Sequence, residues 1–147
     1  MILEPFGKVI APTYNFQDQK TLVSIKDTFT KNDLADSIFI GNSFGGYVAS
    51  YLSAVYDKPT LFFNPALMLR KENIGLDAPL TSNLNSLSFF VLGEKDPLLP
   101  YQDNLDFIQQ HIKGPKEIAT EKEMAHFISA PVFKKYVTRF FELIEET

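Results

Sequence analysis

Three residues carry side chains suited to acyl transfer, and their order along the chain is Ser43, Asp96, His126. Ser43 sits in Gly41-Asn42-Ser43-Phe44-Gly45-Gly46. The apolar run Ser37-Ile38-Phe39-Ile40 leads into this stretch, and Tyr47 to Val55, which reads as a helix, follows it. Strand, tight turn with serine at the tip, then helix is the context in which G-x-S-x-G forms a nucleophile elbow. The turn is so sharp that side chains flanking the serine would collide, and glycine tolerates the backbone it demands. The helix that follows aims its N-terminal N–H groups and positive dipole end at the reacting oxygen. In this pattern the backbone N–H of the residue after the nucleophile, Phe44, is an oxyanion donor. A blander role also exists, a Gly-rich turn whose Ser43 only caps the helix.

A serine nucleophile needs a base within hydrogen-bond reach and a third group to orient that base. Asp96 follows Gly93, which ends an apolar run, by three residues, and His126 lies in a loop after the last predicted strand. In an open parallel sheet such loops emerge at one carboxyl edge, beside the elbow. The order Ser, Asp, His is that of the α/β hydrolases. Asp96 precedes Pro97, so a simple turn start is its alternative, and Glu94 and Asp103 are the other acids within range. His126, between Ala125 and Phe127, would on its own read as a packed loop histidine. His111 falls at the end of a helix, where a cation favours the dipole, and reads as structural.

The elements that must position these groups alternate. Lys8 to Pro12 reads as a short strand. Leu22, Ile25 and Phe29 recur at helical spacing within a helix from about Asp18 to Thr30. Ser37 to Ile40 feeds the elbow, and Asp57-Lys58-Pro59 breaks the elbow helix. Thr60-Leu61-Phe62-Phe63 is wholly apolar after its first residue, as a buried parallel strand should be. Residues 66–86 lose the pattern, and read either as a short cap over a site or as a surface loop. Leu87 to Leu92 is a further strand. Pro100 suits the first position of a helix running to about Ile112. Lys116 to Thr120 is the last strand, and Pro131 opens a final helix with Phe133, Tyr136, Val137, Phe140 and Ile144 on one face. The expectation is a single α/β domain with an open parallel sheet of about five strands.

The bulk numbers narrow the function classes. A chain of 147 residues holds one domain with a real core, and its 45% hydrophobic and 22% charged residues are those of a globular protein. A net charge of −4 without a basic run argues against nucleic acid as a partner. The absence of cysteine excludes thiolate chemistry and thiolate metal sites. Two histidines without metal-ligand spacing argue against a metal, and nothing calls for a cofactor. No apolar stretch approaches the length of a membrane span, and no signal-peptide pattern opens the chain, so a cytoplasmic location and no membrane partner are expected.

Four segments together resemble a known family: Gly41-Asn42-Ser43-Phe44-Gly45-Gly46-Tyr47, Phe63-Asn64-Pro65-Ala66, Gly93 to Asp96, and Ala125-His126-Phe127. The chain looks like an α/β hydrolase and is similar to the small bacterial esterases of the YqiA type from about Lys8 onward. The resemblance implies a nearly lidless cytoplasmic esterase that prefers short acyl chains, with Ser43 as nucleophile, His126 as base and Asp96 as its orienter. The loop after Gly93 is not a clean match, which makes the acid the weakest carry-over.

One departure from that family stands out. Its members begin with a strand ending in His-Gly, whose loop supplies a second oxyanion donor. This chain contains no His-Gly. It reads as N-terminally shortened, with Phe44 N–H the one obvious donor, and a start internal to a longer protein would account for this. Losing one donor typically costs about 10²–10³ in rate. The missing strand is central in the family's sheet, so residues 8–12 and 37–41 would pair directly. Right-handed crossovers would then gather the connecting helices on one face. The other face, left to the final helix, would be partly bare and would favour a homodimer. The expected activity is hydrolysis of small carboxylic esters or thioesters through a Ser43 acyl-enzyme. Leu67, Met68, Leu98, Tyr101 and Phe127 are expected to wall the acyl pocket. The rivals are a non-catalytic hydrolase-like interaction module, or an inactive truncated hydrolase, and amide hydrolysis on the same fold.

Overall fold

In the computed structural model, residues 2–11, 35–68 and 84–146 are described. Thr60-Leu61-Phe62-Phe63 and Ser88 to Gly93 are buried at every position, as strands covered on both faces must be. They form β2 (Thr60–Phe63) and β3 (Ser88–Gly93) of a parallel sheet flanked, among the described residues, by β1 (Phe39–Asn42) and β4 (Lys116–Glu121). The strand order is β1-β2-β3-β4, each strand beside the next. On β4, Lys116 and Glu117 are exposed, a charged edge that discourages further pairing.

Stepping always in one direction across a parallel sheet with right-handed crossovers places the connecting helices on one face. The elbow helix α1 (Phe44–Tyr56) and α2 (Tyr101–His111) accordingly share a core with Phe39, Phe62 and Phe90. Phe62 and Phe90 stack at 4.7 Å beneath them. The last helix, α3 (Ala130–Glu146), crosses to the opposite face and buries Tyr136, Val137, Phe140 and Leu143 against Leu61, Phe63, Phe89 and Val91. Its length and apolar stripe cover that face over β2 and β3. Ile38 and Ile40, before and within β1, are half-buried against the same cluster. Leu3 packs against this cluster too, and Phe6, in a single 3-10 turn (Glu4–Phe6), stacks on Phe141 at 4.3 Å.

Four strands form among the described residues, against the five expected. The difference is at the start. Residues 8–11 are not a strand, and Val9 and Ile10 stay 37% and 42% exposed. An apolar run of three residues between Gly7 and Pro12 buries neither face, so pairing it gains little. Pro12, the helix expected from Asp18 to Thr30 and residues 69–83 of the cap-like loop lie outside the described residues. Pro100 is the N-cap of α2, one position before the place expected for it. No helix among the described residues is long and apolar enough to cross a membrane, and they contain no cluster of His and acidic residues able to hold a metal.

A polar cluster pins α3 to the end of β4. Lys135 Nζ lies 2.6 Å from Glu121 Oε1, and the Tyr136 hydroxyl donates to the same oxygen. The Lys135 bond, then the Tyr136 bond, lower the Glu121 carboxyl below its ordinary value of 4.5. A carboxyl lowered in the folded state stabilises it above the unfolded value, and that contribution is lost as pH falls through the folded value. The melting temperature of Glu121→Gln is therefore expected to lie below wild type at neutral pH, with the gap closing on acidification below pH 4.5. A gap independent of pH would assign the effect to packing.

Candidate active site

Ser43 occupies the turn between β1 and α1 with φ 55° and ψ −120°, a conformation rare for any residue but glycine. Such strain costs about 1–3 kcal/mol and persists only when its surroundings fix it. Here they do. The Ser43 N–H donates to Phe63 O at 3.0 Å, and its carbonyl accepts from the N–H groups of Gly46, Tyr47 and Ala66. Its side chain makes no capping bond to the helix, so the hydroxyl is not spent as an N-cap. The bland reading of Ser43 thus lacks its defining interaction.

The glycines explain how α1 approaches so closely. A Cβ on Gly41 would stand 2.3 Å from Gly45 O and 2.8 Å from Ala49 Cβ. One on Gly46 would meet Pro65 Cβ at 2.6 Å. Both obstacles are backbone or short, rigid side chains and cannot swing away. Gly41→Ala is expected to push α1 off β1 and to destabilise the fold by about 1–3 kcal/mol, as overpacking does. Urea unfolding checks this, and an unchanged midpoint would contradict it.

Asp96 and His126 meet directly. His126 Nδ1 lies 2.8 Å from Asp96 Oδ2, with the Asp96 side chain wholly buried and that of His126 13% exposed. The second carboxylate oxygen accepts from the N–H groups of Leu98 and Leu99 at 2.8 and 3.0 Å. Asp96 is thus both a turn-former and the partner of His126, so the two readings of this residue are compatible. The bond is to Asp96 rather than to Glu94 or Asp103, both of which are exposed. His111 ends α2, its ring 4.6 Å from that of Phe107.

Ser43, Asp96 and His126 follow β1, β3 and β4, so all three stand at the carboxyl edge of the sheet. Phe44 is the first residue of α1, directly after Ser43. Around this edge Met68, Leu98 and Phe127 are 41%, 67% and 85% exposed, and Tyr101 is half-buried. The Phe127 ring meets His126 edge-on at 5.8 Å. Leu67 differs from the expectation for it. It is wholly buried in the core under α1 and α2 and has no surface to offer a ligand.

Asn64 adds a fourth side chain to this edge. Asn64, buried at 1% exposure with φ 39°, follows β2 and sends its amide between the Asp96 and His126 loops. Its segment, Phe63-Asn64-Pro65-Ala66, carries part of the family resemblance but gives Asn64 no role of its own.

The model of an uncharacterised protein family, UPF0227, matches residues 4–78. No curated protein matches the chain in sequence. Among solved structures, Est1E from Butyrivibrio proteoclasticus with ferulic acid bound superposes with a TM-score of 0.68 at 16% identity, over 92% of this chain and 70% of that one. Alpha/beta hydrolase domain-containing protein 10 from mouse gives 0.72 at 11% identity, over 99% of this chain and 81% of that one. An alpha-beta serine hydrolase homologue from Coxiella burnetii gives 0.56 at 21% identity, over 95% of this chain and 61% of that one. The fold is α/β-hydrolase-like.

Proposed function

The chain belongs to the uncharacterised protein family UPF0227, and from that premise we propose that it is a serine hydrolase of small carboxylic esters or thioesters. The observation that carries this reading is the 2.8 Å bond between His126 and a wholly buried Asp96, at the sheet edge that also presents the strained Ser43. The fold neighbours include an alpha-beta serine hydrolase homologue, which supports the reaction class.

In this reading Asp96 holds the proton on His126 Nδ1, leaving Nε2 free to accept. Nε2 takes the Ser43 proton as Oγ attacks the acyl carbon. The Phe44 N–H stabilises the tetrahedral oxyanion. His126 returns the proton to the leaving alcohol or thiol, and an acyl-enzyme remains on Ser43. Water, deprotonated by His126, attacks the acyl carbon, and as the bond to Ser43 Oγ breaks His126 returns that proton to Oγ and the acid leaves. Met68, Leu98, Tyr101 and Phe127 flank the acyl group.

The test is turnover of ester, thioester and amide substrates that share one short acyl group. Wild type is expected to cleave the first two and leave the amide, and Phe127→Ala is expected to raise KM. Faster amide cleavage would move the activity to another class. No turnover by a protein with a cooperative melt would favour a binding module that keeps the elbow as architecture.

A further inference from the structure

We infer that Asn64 is a positioning residue of this site, a buried clamp whose side-chain amide sets the His126 loop against the Asp96 loop; its catalytic meaning rests on the serine-hydrolase reading above. The Asn64 Nδ2 group donates to Ala125 O at 2.9 Å and to His126 O at 3.4 Å. Its Oδ1 accepts from the Gly93 N–H at 2.8 Å. One amide thus grips the backbone of the base itself and the strand end from which the Asp96 loop departs.

The neighbouring contacts make this grip specific. Gly93 lies so close to the histidine loop that a Cβ there would stand 2.4 Å from Met124 O and 2.9 Å from Ala125 O. The Lys95 N–H donates to Met124 O at 3.0 Å, lacing the same two loops. The Asn64 backbone N–H donates to Val91 O, which fixes the side chain's origin on β3. The next two residues reach the nucleophile: Pro65 packs on Gly46, and the Ala66 N–H donates to Ser43 O at 2.8 Å. Residues 64–66 therefore touch the supports of Ser43, Asp96 and His126 at once.

The chemistry requires an amide here. The site needs a donor toward two carbonyls and an acceptor toward one N–H, in a backbone conformation with positive φ. Asn is among the few residues that tolerate that backbone, and its amide offers both functions. Aspartate keeps the acceptor but turns an oxygen toward the Ala125 and His126 carbonyls. Glycine keeps the backbone and removes the side chain.

The experiment compares wild type, Asn64→Asp and Asn64→Gly by two readouts. The first is the far-downfield proton NMR signal of the His126–Asp96 bond, which does not depend on turnover. The second is steady-state hydrolysis of a short-acyl ester. Both variants are expected to lose or broaden the downfield signal. They are expected to lower kcat by roughly 10–100-fold with KM within about threefold, the scale of a 1 Å displacement of a reacting group. A purely structural role would lower the melting temperature and leave the signal and kcat of the folded fraction unchanged, and that result overturns the inference. If wild type gives the downfield signal but no turnover, the hydrolase reading fails, while the signal in the two variants still decides the clamp.

Discussion

Asp96→Asn is expected to fold as wild type does and to lose about 10⁴-fold in kcat, the scale seen when a triad acid is replaced by its amide. The geometry gives the reason. Oδ1 of Asp96 is committed to the N–H groups of Leu98 and Leu99, so in the variant the amide oxygen stays there. The NH₂ group then occupies the position of Oδ2, facing His126 Nδ1 at a site now 2.8 Å wide. Two N–H groups cannot share that space, so His126 must carry its proton on Nε2. A protonated Nε2 cannot accept from Ser43. Circular dichroism melts establish that the variant folds, and ester turnover gives the loss. A fall of less than about tenfold would show that His126 is oriented by another group.

Ser43→Ala, His126→Ala and the double variant are expected to reach one shared floor, about 10⁶-fold below wild type in kcat. The two residues perform one step, transfer of the Ser43 proton as Oγ attacks, and removing either removes the step. Residual rate at the floor would come from binding and the Phe44 N–H. Independent contributions would instead multiply, and a double variant well below either single one would contradict a concerted pair.

Much of this was legible because the signals were local. Thr60 to Phe63 is apolar enough to demand burial on both faces, and it is buried at every position. The glycines around Ser43 announced a tight strand-to-helix turn, and Gly41 and Gly46 prove to be positions where a methyl group has no room. The gathering of α1 and α2 on one face followed from crossover handedness once the strands were taken to step in one direction. The pairing of Asp96 with His126, 30 residues apart, followed from strand ends meeting at one edge. Other features depended on tertiary context. Val9 and Ile10 have β-strand character but remain exposed and unstranded, because strand formation needs a face to bury and not only propensity. Leu67 and Met68 are adjacent and similar, yet one is core and the other surface, a distinction set by packing. Asn64 stood in a family-like segment, but its role was not legible because its partners, Gly93, Ala125 and His126, are distant in sequence.

The most direct test of the central claim is intact mass after brief exposure to a fluorophosphonate probe, for wild type, Ser43→Ala and His126→Ala. Such a probe reacts rapidly only with a serine whose hydroxyl is activated and whose developing oxyanion has a donor. A single adduct on wild type, absent from Ser43→Ala and greatly slowed in His126→Ala, is the predicted result. No adduct on wild-type protein that melts cooperatively, or an adduct that survives in Ser43→Ala, would contradict the assignment of Ser43 as an activated nucleophile.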